Sequence, residues 1–392
     1  NVLPSPYQQR MAQKKVIISV INDIATDQRV RRTASVFSEL DYQVLIVGRK
    51  FPYSLPVYEM PGLSVKRFRL LINTGPLFYA LFQIRLFLFL FFKKTDILYS
   101  NDLDTLLPNY LVSRLKGCAL IYDSHEYFTG VPELQNNHFA RKVWTKVEAF
   151  IFPKLKNVIT VNHSIANLYH RQYGIDVKVV RNVPDKTDSI NFDVMQWKKS
   201  VGLSNDKKVF ILQGAGINID RGAEEAIEAM KRVDAVLLII GGGDVFHRLQ
   251  ELAIKQKVDQ KVIIHPKVAR EELIAITSSC FAGLTLDKDT NINYRFSLPN
   301  KLFDYIHAGI PVIASDLPEV AAIVNEYKTG IVLPKYTTQA IAEAMNRLII
   351  EKELYINYKE NCSIAATDLC WQKEKKILTD VILCSEKKTT KL

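Results

Sequence analysis

Cysteine is scarce in this chain, and its pattern excludes several classes of protein. The five cysteines, Cys118, Cys280, Cys362, Cys370 and Cys384, are far apart in sequence and odd in number. None forms a C-x-x-C pair, so neither a disulfide framework nor a zinc site is indicated. This usage favours a reducing cytosol.

Other motifs are missing as well. Asn22–Arg29 follows the first predicted strand and contains no glycine, so the G-x-G-x-x-G of a nicotinamide dehydrogenase is absent there. No H-E-x-x-H and no low-complexity tract occurs. Lys14 and Lys15 lead directly into the first strand, and we expect no signal peptide.

One long apolar run occurs, at Leu77–Phe92, and Gln83 and Arg85 interrupt it. A membrane-spanning helix needs about 20 apolar residues, so this run is too short to span a bilayer. Two interpretations stay open: a helix partly buried in the protein, or an interfacial helix whose Lys93 and Lys94 meet anionic lipid. The aromatic residues in question are Phe78, Phe82, Phe87, Phe89, Phe91 and Phe92.

The net charge of +11 and the pI near 9.2 call for an anionic partner. Nucleic acid, acidic lipid and a diphosphate substrate would all satisfy that demand. No nucleic-acid-reading module is recognisable, so we expect no nucleic-acid partner.

Short apolar β-branched runs alternate with helical patterns, which is typical of βαβ units around buried parallel sheets. The predicted strands are Val16–Ile21, Val44–Val47, Asp96–Tyr99, Leu120–Tyr122, Val158–Val161, Val209–Leu212, Val236–Ile240, Val262–Ile264, Gly283–Leu286, Val312–Ala314 and Ile331–Leu333. The pattern predicts two doubly wound domains that face each other across a cleft. Ligands then lie outside the carboxyl ends of the strands.

A segment of different composition separates the two halves of the chain. The stretch 182–205 has Pro184, several Asp and Ser residues and no sustained strand. We predict an N-terminal domain over 1–185, a linker over 186–205, a C-terminal domain over 206–365 and a helix with a basic tail over 366–392.

The segment 297–314 carries the clearest chemistry. Pro299 favours the first turn of a helix, which places Asn300 and Lys301 where backbone N–H groups and the helix dipole attract anions. Asp304 lies one turn further on the same face. An amphipathic helix with a Lys–Asp surface pair is the competing interpretation.

A second block follows the predicted strand Val209–Leu212. Gly214 and Gly216 would let the backbone approach a ligand, and Arg221 lies just before a helix, placed to bind a diphosphate. A lone G-x-G is weak, and an exposed arginine is the alternative.

In the first half, Asp123-Ser-His125-Glu126 follows a strand and therefore opens onto the cleft. A zinc site is not indicated, because no further ligands stand at the required spacing. Asp102-Leu-Asp104 spells D-x-D, but helix capping is preferred to metal binding. Asp27 is predicted to cap a helix.

These blocks, together with Asp27-x-Arg29-Val30, resemble the retaining GT-B enzymes of glycosyltransferase family 4. The resemblance extends from Val16 to about Ala366. In that family a P-x-K-L-x-E-Y-x3-G-x-P-V-I-A block closes the donor site, and the second acid of E-x7-E holds the donor ribose. Asp304 occupies that place here, whereas Phe296 occupies the place of the first acid.

The resemblance implies roles for individual residues. Arg221 and Lys301 would bind the donor diphosphate, with Asn300, Gly214 and Gly216 beside it. The nucleotide base would lie near His265. His125 would contact the transferred sugar, with Glu126 or Asp123 orienting its ring. Asp27 and Glu126 would lie on the acceptor side.

We therefore expect a cytoplasmic hexosyltransferase, either free in the cytosol or peripheral on the inner face of the membrane. It would use a nucleotide diphosphate sugar, a saccharide or lipid-linked acceptor, retention and no metal or other cofactor. A nucleotide-sugar 2-epimerase of the same shape and a non-catalytic nucleotide-sugar-binding module are the alternatives.

Overall fold

The computed structural model describes residues 13–25, 27–52, 54–135, 137–185, 192–204 and 206–387. These divide into two compact units, one reaching Arg181 and the other running from Asn182 to Glu374. Within the described part of the chain, Lys375–Lys387 groups with the first unit. Of the predicted linker, residues 186–191 and 205 lie outside the described residues, as does the end of the basic tail.

The first unit has a seven-stranded, fully parallel sheet with strand order β3-β2-β1-β4-β5-β6-β7. Its strands are β1 (Lys15–Asp23), β2 (Gln43–Arg49), β3 (Leu63–Phe68), β4 (Ile97–Asn101), β5 (Ala119–Ser124), β6 (Val158–Thr160) and β7 (Val177–Val179). Its helices are α1 (Gln28–Glu39), α2 (Gly75–Phe92), α3 (Leu103–Lys116), α4 (Pro132–Gln135), α5 (His138–Ile151) and α6 (His163–Tyr173).

The second unit has a six-stranded parallel sheet with strand order β10-β9-β8-β11-β12-β13. Its strands are β8 (Val209–Gly214), β9 (Val236–Gly241), β10 (Val262–Pro266), β11 (Ala282–Thr285), β12 (Val312–Ala314) and β13 (Gly330–Val332). Its helices are α7 (Val194–Ser200), α8 (Ala223–Ala229), α9 (Leu249–Lys255), α10 (Arg270–Ser278), α11 (Ile292–Arg295), α12 (Asn300–His307), α13 (Pro318–Glu326), α14 (Thr338–Ile350) and α15 (Lys352–Asp368). The last helix, α16 (Trp371–Lys387), begins in this unit and ends in the first.

The prediction of two doubly wound parallel sheets is confirmed, and every predicted strand is present. Two strands were missed, β3 and β7. Both lie at the edge of the sheet, and both alternate apolar with polar or charged residues, as in Val65-Lys66 and Val177-Lys178. A search for continuous apolar runs finds strands buried on both faces and passes over edge strands of this kind.

Helix α2 contains the long apolar run, and only one of its faces enters the core. Phe78, Phe82, Leu86 and Leu90 recur every fourth residue and pack against β1, β2 and β4 through Ile17, Val47 and Leu98. Phe78 and Phe82 are therefore core residues, in agreement with the interpretation of this run as a partly buried helix. Among the described residues, α2 is the one helix long and apolar enough to cross a membrane, and 22% of its 18 residues are buried.

The opposite face of α2 is exposed and apolar. Phe92 is 79% exposed, and Phe91 is exposed beside it. Phe87 and Phe89 are half-buried. The further exposed apolar residues on this helix are Leu77, Leu81, Ile84 and Leu88.

Candidate active site

Asp123 organises the carboxyl edge of the first sheet. It lies in β5 and is 1% exposed. Arg29, from the start of α1, donates from Nε and Nη2 to its two carboxylate oxygens at 2.8 and 2.6 Å. Tyr99 on β4 adds a hydroxyl hydrogen bond of 2.8 Å. Arg29 also donates to the carbonyl of Val180, and so it joins β5 to the chain after β7.

His125 lies between two carboxylates. Its Nδ1 is 3.3 Å from Asp102 Oδ2, and its Nε2 is 3.6 Å from Asp123 Oδ2. Burial lowers the pKa of His125, but the two carboxylates outweigh that effect and raise this pKa to about 9. The pKa of Asp123 lies below its usual range, since Arg29 and His125 outweigh its burial. The candidate sugar-facing side chain is therefore an imidazolium at neutral pH.

The predicted helix-capping role of Asp102 is wrong. Asp102 stands at the start of α3 but makes no capping hydrogen bond. Its Oδ1 instead accepts the backbone N–H of His125 at 2.9 Å. Of the two residues predicted to orient His125, Asp123 does flank the ring, whereas Glu126 is exposed and lines a groove between α2 and α5. Asp104 is buried, and its pKa lies well above the usual range because of burial and the charge of Asp102.

Asp27 is a helix cap, as predicted. Its carboxylate accepts the backbone N–H of Val30 at 3.0 Å, which satisfies one of the free donors at the start of α1. The N-cap also fixes the start of α1, and Arg29 follows two residues later. Asp27 thus acts on the site indirectly, through the position of Arg29.

In the second unit, Arg221 and Lys301 converge on one buried carboxylate, that of Asp287. Arg221 Nη1 lies 2.5 Å from Asp287 Oδ2, and Lys301 Nζ lies 3.2 Å from Oδ1. Asp287 is 1% exposed, whereas the Arg221 side chain is 26% exposed. The Arg221 guanidinium also lies over the ring of Tyr294 at 4.0 Å. Two cations predicted to share a role are therefore neighbours, and Arg221 is not a free surface charge.

A glycine makes this convergence possible. Gly222 has φ +81°, and a Cβ there would lie 2.3 Å from the carbonyl oxygen of Leu286. The loop after β8 can therefore press against the chain after β11, where Lys288 N donates to the carbonyl of Asp220 at 2.9 Å. Asp287 lies between Leu286 and Lys288, so the same contact brings Arg221 to Asp287.

Helix α12 begins at Asn300, with Pro299 immediately before it rather than in its first turn. Lys301 binds Asp287, which differs from the competing interpretation of a Lys–Asp surface pair on this helix. Asp304 accepts from Gln213 Nε2 at 3.1 Å and lies 3.7 Å from Arg270. Asn300 Oδ1 accepts from Asn182 at 3.0 Å. Asp304 and Lys301 thus approach different partners from one helix.

The glycines at the end of β8 and after it have space for a side chain, whereas those at the end of β9 and after it do not. A Cβ at Gly214 or Gly216 would find its nearest neighbour at 3.5 or 3.7 Å, so neither position is sterically closed. Gly241 and Gly243 are closed, because their Cβ atoms would meet the backbone of Gly214 and Ile217. The two loops therefore pack backbone to backbone, with Ile217 N donating to the Gly242 carbonyl.

His265, at the end of β10, is half-buried, and its ring stands edge-on to Trp197 at 5.6 Å. Its Nδ1 lies 2.8 Å from the Pro266 carbonyl. Phe296, in the place of the first acid of E-x7-E, follows α11 and is half-buried. Within the described part of the chain, no group of three or more His, Cys, Asp or Glu side chains could hold a metal ion.

Comparison with known families assigns both units. Residues 27–186 match the model of Glycosyltransferase Family 4, and residues 195–363 match that of Glycosyl transferases group 1. The chain is a GT-B glycosyltransferase of the family 4-like group.

The curated relatives of this glycosyltransferase are distant. An N-acetyl-alpha-D-glucosaminyl L-malate synthase of Bacillus anthracis is 24% identical over 210 residues, which are 52% of each chain. The match thus spans about half the length of that relative. A chitobiosyldiphosphodolichol beta-mannosyltransferase of Candida glabrata is 22% identical and aligns over 90% of this chain and 87% of its own.

Solved structures share the fold of this glycosyltransferase. A sucrose-phosphate synthase from Thermosynechococcus elongatus superposes with a TM-score of 0.77 at 15% identity, covering 94% of this chain and 98% of its own. Anabaena HepE in complex with UDP and glucose gives a TM-score of 0.72 at 13% identity, covering 95% and 100%. At these identities the likeness concerns the fold.

The environment of His125 gives a testable pH dependence. Because its folded pKa of about 9 exceeds the ordinary 6.5, the stability it contributes is fully present below pH 6.5 and is lost as the pH rises through about 9. An NMR titration should show His125 protonated at pH 8, its signal assigned by its loss in His125→Gln. Asp102→Asn should move the midpoint toward 6.5. A midpoint near 6.5 in the unsubstituted protein would contradict the pairing with Asp102 and Asp123.

Proposed function

We propose that this glycosyltransferase transfers a hexosyl group from a nucleoside diphosphate sugar to a saccharide or lipid-linked acceptor, with retention and without a metal. The observation that carries the proposal is the convergence of Arg221 and Lys301 on Asp287. Asp287 offsets one of the two positive charges, so the cluster keeps a net charge of +1. Guanidinium and ammonium groups retain further donors for phosphate oxygens.

The donor site is proposed at the carboxyl edge of the second sheet. The diphosphate would meet Arg221, Lys301 and the backbone N–H groups at the start of α12, beside Asn300. The glycine-lined end of β8 at Gly214 and Gly216 leaves room beside it. Asp304 would bind the ribose, and His265 with Trp197 would border the base. The related fold of HepE, solved with UDP and glucose, supports a donor of this class.

Transfer requires that the departing diphosphate be stabilised while the acceptor approaches. Fixed cations can supply that stabilisation in place of a metal ion. In the proposed step, the acceptor hydroxyl oxygen bonds to the anomeric carbon as the bond to the phosphate oxygen breaks. The hydroxyl proton passes to that departing phosphate oxygen. His125, as an imidazolium, would donate a hydrogen bond to the transferred sugar and bear no part of the proton transfer.

Removing either cation should weaken donor binding. Lys301→Ala and Arg221→Ala should each cost about 1.5–3 kcal/mol in affinity for a nucleoside diphosphate, the scale of a charge-assisted hydrogen bond. Titration calorimetry measures this. Lys288→Ala is the matched control, because Lys288 lies beside Asp287 in sequence but pairs with Asp220 and Glu225. Asp304→Asn should weaken nucleoside binding more than pyrophosphate binding. Unchanged affinity in both Lys301→Ala and Arg221→Ala would refute the site.

Metal independence and retention can be read from one transfer assay. Activity should persist in excess chelator, and NMR of the product should show the anomeric configuration of the donor. Because one relative is named for a β-mannosyl product, the anomeric readout is informative. Activity that is lost with chelator and restored by Mg²⁺ would restore a metal role for Asp102 and Asp104. An inverted product would overturn retention, and turnover of donor without acceptor would favour the epimerase.

We also propose that the enzyme acts in the cytoplasm, peripherally bound to an anionic membrane surface through α2. The exposed apolar face of that helix lies beside Arg85, Lys93 and Lys94, all exposed. Such a face buries its apolar side chains among lipids while the cations meet anionic headgroups, each contributing about 1 kcal/mol.

Vesicle binding checks this proposal. The protein should co-sediment with phosphatidylglycerol vesicles at low salt, dissociate at high salt and ignore phosphatidylcholine vesicles. Leu81→Asp with Leu88→Asp should abolish binding. Ile254→Asp is the control, since it changes an exposed apolar residue of the second unit. Equal sedimentation of both variants would mean that α2 is not the docking face.

A further inference from the structure

A groove lies between α2 and α5 in the first unit. It has a volume of about 690 Å³, which lies within the range of about 300–1,000 Å³ that is typical of small-ligand sites. Its walls are mostly apolar and aromatic. They include Tyr79, Leu107, Phe128, Phe139, Val143 and Trp144.

The inner wall of the groove is fixed by packing. Trp144 on α5 is buried and stands edge-on to Tyr79 at 5.5 Å and to Phe128 at 5.3 Å. Such edge-to-face contacts hold the rings in one arrangement. The outer wall is open, because Phe139 is 71% exposed and Val143 is 42% exposed. The groove is therefore an accessible, preformed site and not a void in the core.

The groove reaches the carboxyl edge of the sheet. Asn22, the second-last residue of β1, lines the groove. Glu126, which directly follows His125, lines it as well. Gln83 adds a third polar side chain. A molecule lying in the groove would thus have its apolar part between the two helices and its polar part near His125.

The surroundings of the groove favour an amphiphile over a free saccharide. A sugar in the apolar part would lose hydrogen bonds to water without replacement. The outer surface of α5 carries Arg141, Lys142 and Lys146, all exposed, which suit an acidic headgroup region. The exposed apolar face of α2 continues from the groove wall at Tyr79 and Ala80.

We propose that this groove binds the apolar chain of an amphiphilic acceptor, with the acceptor sugar at the Glu126 end. The inference rests on the proposed transferase function and names its acceptor class. It adds α5 and Trp144 to the acceptor site, neither of which the sequence indicated.

The test uses alkyl glucosides of increasing chain length, kept below their micellar concentrations, and titrated by calorimetry without donor. Affinity should rise about fourfold per added methylene, the scale of CH₂ burial, until the groove is full. Ala140→Trp, which fills the groove, should remove this chain-length dependence. Thr145→Trp, an exposed position on the same helix, should leave it unchanged.

The possible outcomes distinguish failure of the groove assignment from failure of the proposed transferase function. Affinity independent of chain length, or an equal dependence in Ala140→Trp, would overturn the groove assignment. A dependence lost in Leu81→Asp with Leu88→Asp but kept in Ala140→Trp would place the chain on the surface of α2 and would also overturn it. Nucleoside diphosphate binding, measured on the same preparations, reports separately on the transferase proposal.

Discussion

A buried aspartate at the carboxyl edge of each sheet fixes the charged side chains around it. A carboxylate that leaves water must be paired and hydrogen-bonded, or its burial is too costly. Asp123 satisfies this demand with Arg29, and Asp287 satisfies it with Arg221 and Lys301. The pairing also fixes the cations, because the carboxylate that each cation neutralises holds that cation in position.

The two aspartates differ in how many hydrogen-bond donors of their partner cations they occupy. Arg29 is 6% exposed and donates hydrogen bonds to Asp123 and to the Val180 carbonyl. This ion pair therefore has a structural role. Arg221 gives Asp287 a single contact and stays partly exposed. In the proposed donor site, the terminal N–H groups of Arg221 and the ammonium of Lys301 would meet an incoming anion from the positions in which Asp287 holds them. Preorganised donors of this kind are effective because little reorganisation is needed when charge develops.

The sequence predicted the sheets well, because strands buried on both faces are continuous apolar runs, and it missed the alternating edge strands β3 and β7. It also named Arg221, Lys301 and His125, which follow strands or begin a helix. The sequence did not single out Asp287, and it assigned Asp102 to a helix cap. The contacts that matter for these two residues span 66 and 23 residues of chain, which a local pattern does not show. Local patterns such as D-x-D suggest a cap or a metal and contain no information on a distant partner.

Helix α2 shows why composition alone leaves a long apolar helix ambiguous. It is apolar on nearly every side, so periodicity does not reveal which side enters the core. The sheet can cover one row of residues, and leaving each large apolar side chain of the other face in water costs about 1.5–3 kcal/mol relative to burial. Six such side chains share this face: Leu77, Leu81, Ile84, Leu88, Phe91 and Phe92. Their combined cost is of the same order as the whole stability of an ordinary domain. In the proposed membrane-bound state, lipid around this face would remove most of that cost, and the cations at Arg85, Lys93 and Lys94 would limit how deeply the helix enters the bilayer.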